Sequence, residues 1–204
     1  MIGIGRHSTG FRNYLFLNRC EIVIDVDLKN YFGSIDHKML LELLRIKIKD
    51  EVFLRYIVRM LKAGVLRDGE FYVTEEGSPQ GNIASPVLAN IFAHYVIDEW
   101  FEKIVKHYTK GGVAMYRYAD DLVICCRYEY DAHRILKALK GRLAKYGLDL
   151  NDKKTKLVRF DKTLKQKQQT FDFLGFTFYL GKSAKGFMIP KVKTAGKRWK
   201  RLYR

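Results

Sequence analysis

From residue 22 the chain alternates: Ile22, Ile24, Val26 and Leu28 fall on one side of an extended segment, and Val23, Asp25 and Asp27 on the other. That is the period of a β-strand that turns its carboxylates away from its apolar side. Ser34 and Asp36 are candidate helix caps ahead of two stretches with helical spacing, 37–48 and 51–63, the second ending at Gly64. Their inward stripes are expected at Met39, Leu40, Leu43 and Leu44, then at Phe53, Tyr56, Ile57, Met60 and Leu61. Asp68 and Gly69, set between Val65–Leu66 and Phe71–Val73, predict a small β-hairpin. A helix over 85–104 follows, with Pro86 tolerated in its first turn and Leu88, Ile91, Phe92, Tyr95, Val96 and Phe101 supplying its packing.

Two β-rich runs, Met115–Tyr118 and Leu122–Cys126, flank Ala119, Asp120 and Asp121, which predicts a hairpin whose tip carries two carboxylates. A helix over 130–146 turns Ile135, Leu136, Leu139 and Leu143 inward, and short strands lie near 148–150, 156–160, 171–179 and 187–190. The lysine- and glutamine-rich stretch 161–169 reads as an exposed loop. This order of elements predicts an α+β fold, an antiparallel β-sheet with helices packed on one face.

Composition narrows the partner. The chain has 204 residues, of which 48% are apolar, enough for the core of one domain or of one domain and a piece of another. Its formal charge is +16, unevenly spread: residues 1–150 hold 22 basic and 19 acidic side chains, residues 151–204 hold 16 and 3. A polyanion, nucleic acid first, is the partner this implies, bound mainly through the C-terminal part. Cys20, Cys125 and Cys126 have no metal-ligand spacing and read as reduced core thiols. Residues 1–7 resemble neither a signal nor a transit peptide, and no apolar run approaches the ~20 residues of a membrane span. A soluble, cytoplasmic protein with no membrane partner is expected.

The carboxylates are the chemistry-bearing feature. Asp27 at the end of an apolar strand and Asp120 and Asp121 at a hairpin tip could meet on neighbouring strands. Hard cations such as magnesium prefer carboxylate oxygen, and two such ions can activate an attacking hydroxyl and stabilise a leaving phosphate oxygen. An Asp pair in a hairpin is also an ordinary polar turn.

The surroundings of these residues form an ordered set. It runs through Asp27–Phe32 with Ser34–His37, Glu75–Gly81 followed by Ser85–Ile91, Arg117–Asp121, Gly147–Thr155 and Phe171–Phe176. In this order the chain resembles reverse transcriptases, and those encoded by group II introns, the maturases, in particular. The resemblance runs from about Glu21 to the C-terminus and implies a polymerase palm.

It implies roles residue by residue. Asp27 and Asp120 correspond to the two catalytic carboxylates that hold two Mg2+ ions, with Asp121 beside them as a weaker third metal ligand. Phe32 corresponds to the steric gate that disfavours a ribose 2′-hydroxyl, with an ordinary core aromatic as the other reading. Ser78, Pro79, Gln80 and Gly81 correspond to the loop against the incoming nucleotide and template. Lys154 corresponds to the lysine that assists pyrophosphate departure, or is a solvated lysine in a basic segment. Leu174, Gly175 and Phe176 correspond to the primer-grip hairpin, with a buried β-hairpin as the other reading. Gly33 stands where the family usually carries Asp, and Asn82 where it usually carries Gly.

The implied organisation is a divergent segment over 1–20, a remnant of the fingers, then a palm over 21–190 and the basic start of a thumb or maturase region over 191–204. The implied reaction is RNA-directed DNA polymerisation, with an RNA template or intron RNA, a DNA primer and deoxynucleoside triphosphates as partners. A separate chain could supply fingers or thumb. Two alternatives stay open: a truncated, inactive RNA-binding remnant, and a palm-like cyclase or metal-dependent nuclease, since a fold does not fix a function.

Overall fold

The structure, a computed structural model, describes residues 4–62, 65–67, 70–72, 84–164 and 169–196. In chain order the elements are α1 (Ile4–Leu17), β1 (Ile22–Lys29), a 3₁₀ turn (Tyr31–Ser34), α2 (His37–Arg45), α3 (Glu51–Lys62), β2 (Val65–Arg67), β3 (Glu70–Tyr72) and α4 (Ser85–Ala93). Two π-type turns, His94–Asp98 and Phe101–Val105, lead to α5 (Lys106–Tyr108). Then come β4 (Val113–Tyr118), β5 (Asp121–Cys126), α6 (Glu129–Ala144), β6 (Asp149–Leu150), β7 (Lys156–Arg159), β8 (Phe171–Phe173), β9 (Phe176–Lys182) and β10 (Met188–Thr194). Among the described residues every strand pairing is antiparallel, and with the helices this gives the α+β class that the sequence predicts. No helix among the described residues is long and apolar enough to cross a membrane.

The described residues form two compact units. The first takes them from 1–27, 106–137 and 151–204, the second from 28–105 and 138–150.

In the first unit β1 is central. It pairs with β5 over Ile22–Asp27 on one edge and with β7 over Ile22–Asp25 on the other, and β4 adds to β5. Alternation puts Val23, Asp25 and Asp27 on one face, opposite Cys125, Val123 and Asp121 of β5. The apolar end of that face enters a core with Val158 and Phe160, the aromatic side chains Phe171, Phe173 and Phe178 of a second sheet ordered β10-β9-β8, and Phe11 and Leu15 of α1. One sheet face thus begins in the core and ends in carboxylates.

For residues 4–17 the sequence offers no element, yet they form α1. Phe11 is wholly buried, its ring centroid 4.9 Å from those of Tyr116 and Phe178 and 5.3 Å from that of Phe173. The end of α1 is closed by Lys162, whose Nζ donates to the carbonyls of Leu15 (3.0 Å), Phe16 (2.8 Å) and Asn18 (2.8 Å). These acceptors are among the carbonyls a helix end leaves without an intrahelical donor. The stretch 171–179 is two strands, broken by a tight turn at Leu174 and Gly175.

In the second unit α2 packs against α3 and α4. Asp36 caps α2 as expected, its Oδ1 accepting the Met39 N–H at 2.7 Å. The α3 stripe matches expectation at Ile57 and Leu61 and differs at its N-terminal half. Leu54, Ile57 and Leu61 are buried, whereas Phe53 and Tyr56 are exposed. Valine, aromatic and leucine residues stand all around this helix, so its spacing allows two stripes, and packing selects the one at i, i+3 and i+7. The predicted helix over 85–104 is α4 prolonged by the two π-type turns, where Arg142 donates to the carbonyls of Val96 (3.0 Å) and Tyr95 (3.3 Å). β2 pairs with β3 from Val65↔Tyr72 to Arg67↔Glu70, as the hairpin reading requires; Asp68 and Gly69 themselves lie outside the described residues.

Candidate active site

The register of β1 against β5 sets Asp27 directly opposite Asp121. Asp120 is exposed in the two-residue turn between β4 and β5, beside Ala119, whose φ is 55°. A non-glycine residue in this left-handed region costs roughly 1–2 kcal/mol. The turn is held by Arg117, whose Nη1 donates to the Ala119 carbonyl at 3.0 Å. The three predicted carboxylates therefore lie on adjacent positions of one sheet end.

The backbone of Asp27 is fixed from a distant stretch of chain. Asn151 donates its N–H to the Asp27 carbonyl at 2.8 Å, and the Asp27 N–H donates to Thr155 Oγ1 at 3.2 Å. Between these two anchors the chain turns, with the N–H groups of Lys154 (3.0 Å) and Thr155 (2.8 Å) both donating to the Asn151 carbonyl. This turn presents Lys154, whose Nζ lies 3.7 Å from Asp27 Oδ2. Both side chains are well solvated, so the pair adds little to stability; its value is the placement of a cation beside the carboxylate.

Asp121 is tied elsewhere. Its Oδ2 accepts the N–H of Leu174 at 2.9 Å, at the turn between β8 and β9. Leu174 (φ 54°) and Gly175 (φ 77°) are both left-handed, and the Gly175 carbonyl accepts the Ala195 N–H at 3.0 Å. The predicted primer-grip residues Leu174 and Gly175 thus form a real turn, and Phe176 opens β9.

Two carboxylates that the sequence did not single out join the group. Burial pushes the Asp25 carboxyl up to about 6; the charge of Asp121 adds to this, Lys156 opposes it, and Asp172 and Asp27 contribute further upward pushes. Asp121 is raised for the same first reason, burial, with the Leu174 N–H opposing and the charges of Asp120, Asp27 and Asp172 adding. Asp172 itself accepts from Thr177 Oγ1 at 2.5 Å. Like charges accumulate at this end of the sheet, an arrangement that a bound cation relieves.

Among the described residues no three His, Cys, Asp or Glu side chains converge to hold a metal between them. Magnesium is commonly held by one or two carboxylates together with water and substrate phosphates rather than by an all-protein cage. Asp27 and Asp120, with the neighbouring carboxylates raising the local negative charge, fit that donor set.

Phe32 belongs to the second unit, in the 3₁₀ turn, where its ring meets Tyr31 edge-on at 5.4 Å. The turn is entered through Asn30 at φ 45°, and a Cβ on Gly33 would come within 2.5 Å of the Asn30 side-chain amide. Ser78, Pro79, Gln80 and Gly81 lie outside the described residues.

Residues 5–178 match the family described as Reverse transcriptase (RNA-dependent DNA polymerase). The chain is 44% identical over 71 residues to the group II intron-encoded protein LtrA of Lactococcus lactis subsp. cremoris, a match covering 35% of this chain and 12% of that protein. It is 40% identical over 99 residues to an uncharacterized 91 kDa protein in the cob intron of Schizosaccharomyces pombe, covering 48% and 12%. It is 29% identical over 203 residues to protein YkfC of Escherichia coli K12, covering 84% and 51%. The chain thus spans only part of the length of these relatives. Its fold is similar to that of apo telomerase from Candida tropicalis truncated from its C-terminal domain, with a TM-score of 0.67 over 94% of this chain and 39% of that chain, at 16% identity.

Proposed function

Because the chain belongs to the reverse transcriptase (RNA-dependent DNA polymerase) family, we propose that it extends a DNA primer on an RNA template with deoxynucleotides, in the manner of group II intron-type enzymes. The observation that carries this reading is the register of β1 against β5, which sets Asp27 opposite Asp121 with Asp120 in the adjoining turn. Two magnesium ions bound at Asp27 and Asp120 would activate the primer 3′-hydroxyl and neutralise charge on the reacting phosphate.

The chain's own contribution is placement. Asn151 and Thr155 fix the backbone that carries Asp27, and the same turn holds Lys154 where a cation can steady negative charge on departing pyrophosphate. Phe32 acts as the gate against a 2′-hydroxyl. Ser78, Pro79, Gln80 and Gly81 are assigned contact with the incoming nucleotide and template. Leu174, Gly175 and Phe176 hold the primer end. In this reading the palm occupies 21–190, the stretch 1–20 derives from the fingers, and 191–204 approaches a thumb.

The test is extension of a DNA primer on an RNA template with deoxynucleotides and magnesium, comparing the chain with Asp120→Asn. The proposal expects extension by the first and its loss in the second. Metal-dependent extension retained by Asp120→Asn would overturn it.

A second reading, RNA binding without polymerisation, is favoured by the 16 basic against 3 acidic side chains in 151–204. It expects no extension, and RNA affinity that falls steeply with salt yet is indifferent to magnesium and to Asp120→Asn. Affinity that barely responds to salt would count against it.

A further inference from the structure

Asp121 differs from its two acidic neighbours in what it touches. Asp27 faces it across the β1–β5 register and Asp120 precedes it in the chain, whereas Asp121 reaches the hairpin between β8 and β9, through Oδ2 and the Leu174 N–H at 2.9 Å. That hairpin closes at Phe173↔Phe176 around Leu174 and Gly175, both at positive φ. A two-residue turn with both central residues left-handed suits the twist of a hairpin, yet its first position normally falls to Asn, Asp or Gly. Leucine occupies it here, with its side chain only 7% exposed. The turn is gripped from both sides: its first N–H is taken by Asp121, and its second carbonyl accepts from Ala195, itself 4% exposed.

We infer that Asp121 is a positioning residue that latches the β8–β9 turn to β5, the strand that pairs with the Asp27 strand and follows the Asp120 turn, so that the turn and the primer terminus it holds stay in fixed register with Asp27 and Asp120. The inference rests on the reading of that turn as the primer grip. A carboxylate oxygen spent on a backbone N–H is not available to an ion in the same direction, which distinguishes Asp121 from Asp120 in role and not only in strength. Asn retains an oxygen at Oδ1 that accepts the same N–H, whereas Ala retains none. The two substitutions therefore separate the hydrogen bond from the charge.

The experiment compares the full chain with Asp121→Asn and Asp121→Ala by two readouts that need no turnover. One is hydrogen exchange of the Leu174 amide; the other is the dissociation constant for an RNA–DNA primer–template duplex. The latch expects Asp121→Asn to stay within about threefold of the parent chain in both, on the scale of a modest change in one hydrogen bond, while Asp121→Ala exchanges about tenfold faster and binds the duplex about tenfold more weakly. Asn and Ala behaving alike would overturn the inference, since charge alone would then explain the residue. Faster exchange in Ala with unchanged duplex binding would also overturn it, because the turn would be latched without positioning the primer. Failure of the parent chain to extend a primer is a separate result that counts against the polymerase reading, whereas the Asn–Ala contrast judges the latch.

Discussion

The amide of Asp27 and the hydroxyl of Thr155 meet at 3.2 Å although 128 positions separate them in the chain. Together with the Asn151 N–H, this contact holds the backbone of β1 in place at Asp27. Thr155→Ser keeps the hydroxyl and should behave as the parent chain, whereas Thr155→Val strands the Asp27 N–H. The Val variant is expected to lose about 1 kcal/mol of stability in a urea titration. On the proposed function, its primer extension should fall by more than that loss implies, because the segment of β1 that bears the proposed metal ligand Asp27 is released.

Asp25 gives the fold a pH dependence of known sign. Its folded pKa, about 6, lies above the ordinary aspartate value of 3.8, so the native state holds the proton more tightly than the unfolded chain. Its contribution is neutral below the unfolded value, turns unfavourable as pH rises between the two values and is fully unfavourable above about 6, by up to ~3 kcal/mol at ~1.4 kcal/mol per tenfold change in proton concentration. Asp25→Asn in metal-free buffer should accordingly match the parent chain near pH 4 and exceed its melting temperature at pH 7 to 8. Equal melting temperatures across that window would show that the site does not resist ionisation of Asp25.

Phe11 ties α1 to the core by ring contacts with Tyr116, Phe171, Phe173 and Phe178. Truncation to Ala removes a wholly buried aromatic side chain and is expected to cost about 3–5 kcal/mol. Chemical denaturation would measure it. A loss under 1 kcal/mol would mean that α1 is only laid against the unit.

Ala119 carries a left-handed backbone at the tip of the carboxylate hairpin. Ala119→Gly relieves that strain at the cost of a more flexible unfolded chain, so a net gain of up to about 1 kcal/mol is expected. Thermal melting decides it. A loss of stability would indicate that the alanine methyl makes a contact worth more than the strain.

How legible all this was depended on distance along the chain. The carboxylate hairpin could be read because strand alternation and a two-residue gap are local patterns, and the order of the motifs placed Asp27, Asp120, Asp121 and Lys154 in one family. The α3 face could not be read, because Phe53 and Tyr56 repeat at helical spacing as well as Leu54, Ile57 and Leu61 do, and only the neighbouring helices discriminate between the two stripes. α1 was hidden for a related reason: Phe11 and Leu15 face the core, but exposed Phe16 and Leu17 blur the stripe, and Gly10 interrupts it. The supports of Asp27 and Asp121, namely Thr155, Asn151 and Leu174, are hydrogen bonds across distant chain, each with a backbone N–H as donor, which no spacing rule encodes. Asp25 was visible on the acidic face of β1, but its burial was not.

The connectivity of the first unit also governs the order in which it can form. β1 gains its neighbours only when β5 and β7 exist, and Lys162 reaches the Leu15 carbonyl from 147 positions downstream. At ribosomal rates of roughly 5–20 residues per second, on the order of ten seconds pass between the synthesis of Phe11 and that of the residues that cover it. Such high contact order places folding at the slow end of the scale for small domains. During that interval Phe11, Val23 and Ile24 lack the neighbours that later bury them, so α1 and β1, made before their partners, are among the last elements of this unit to be secured.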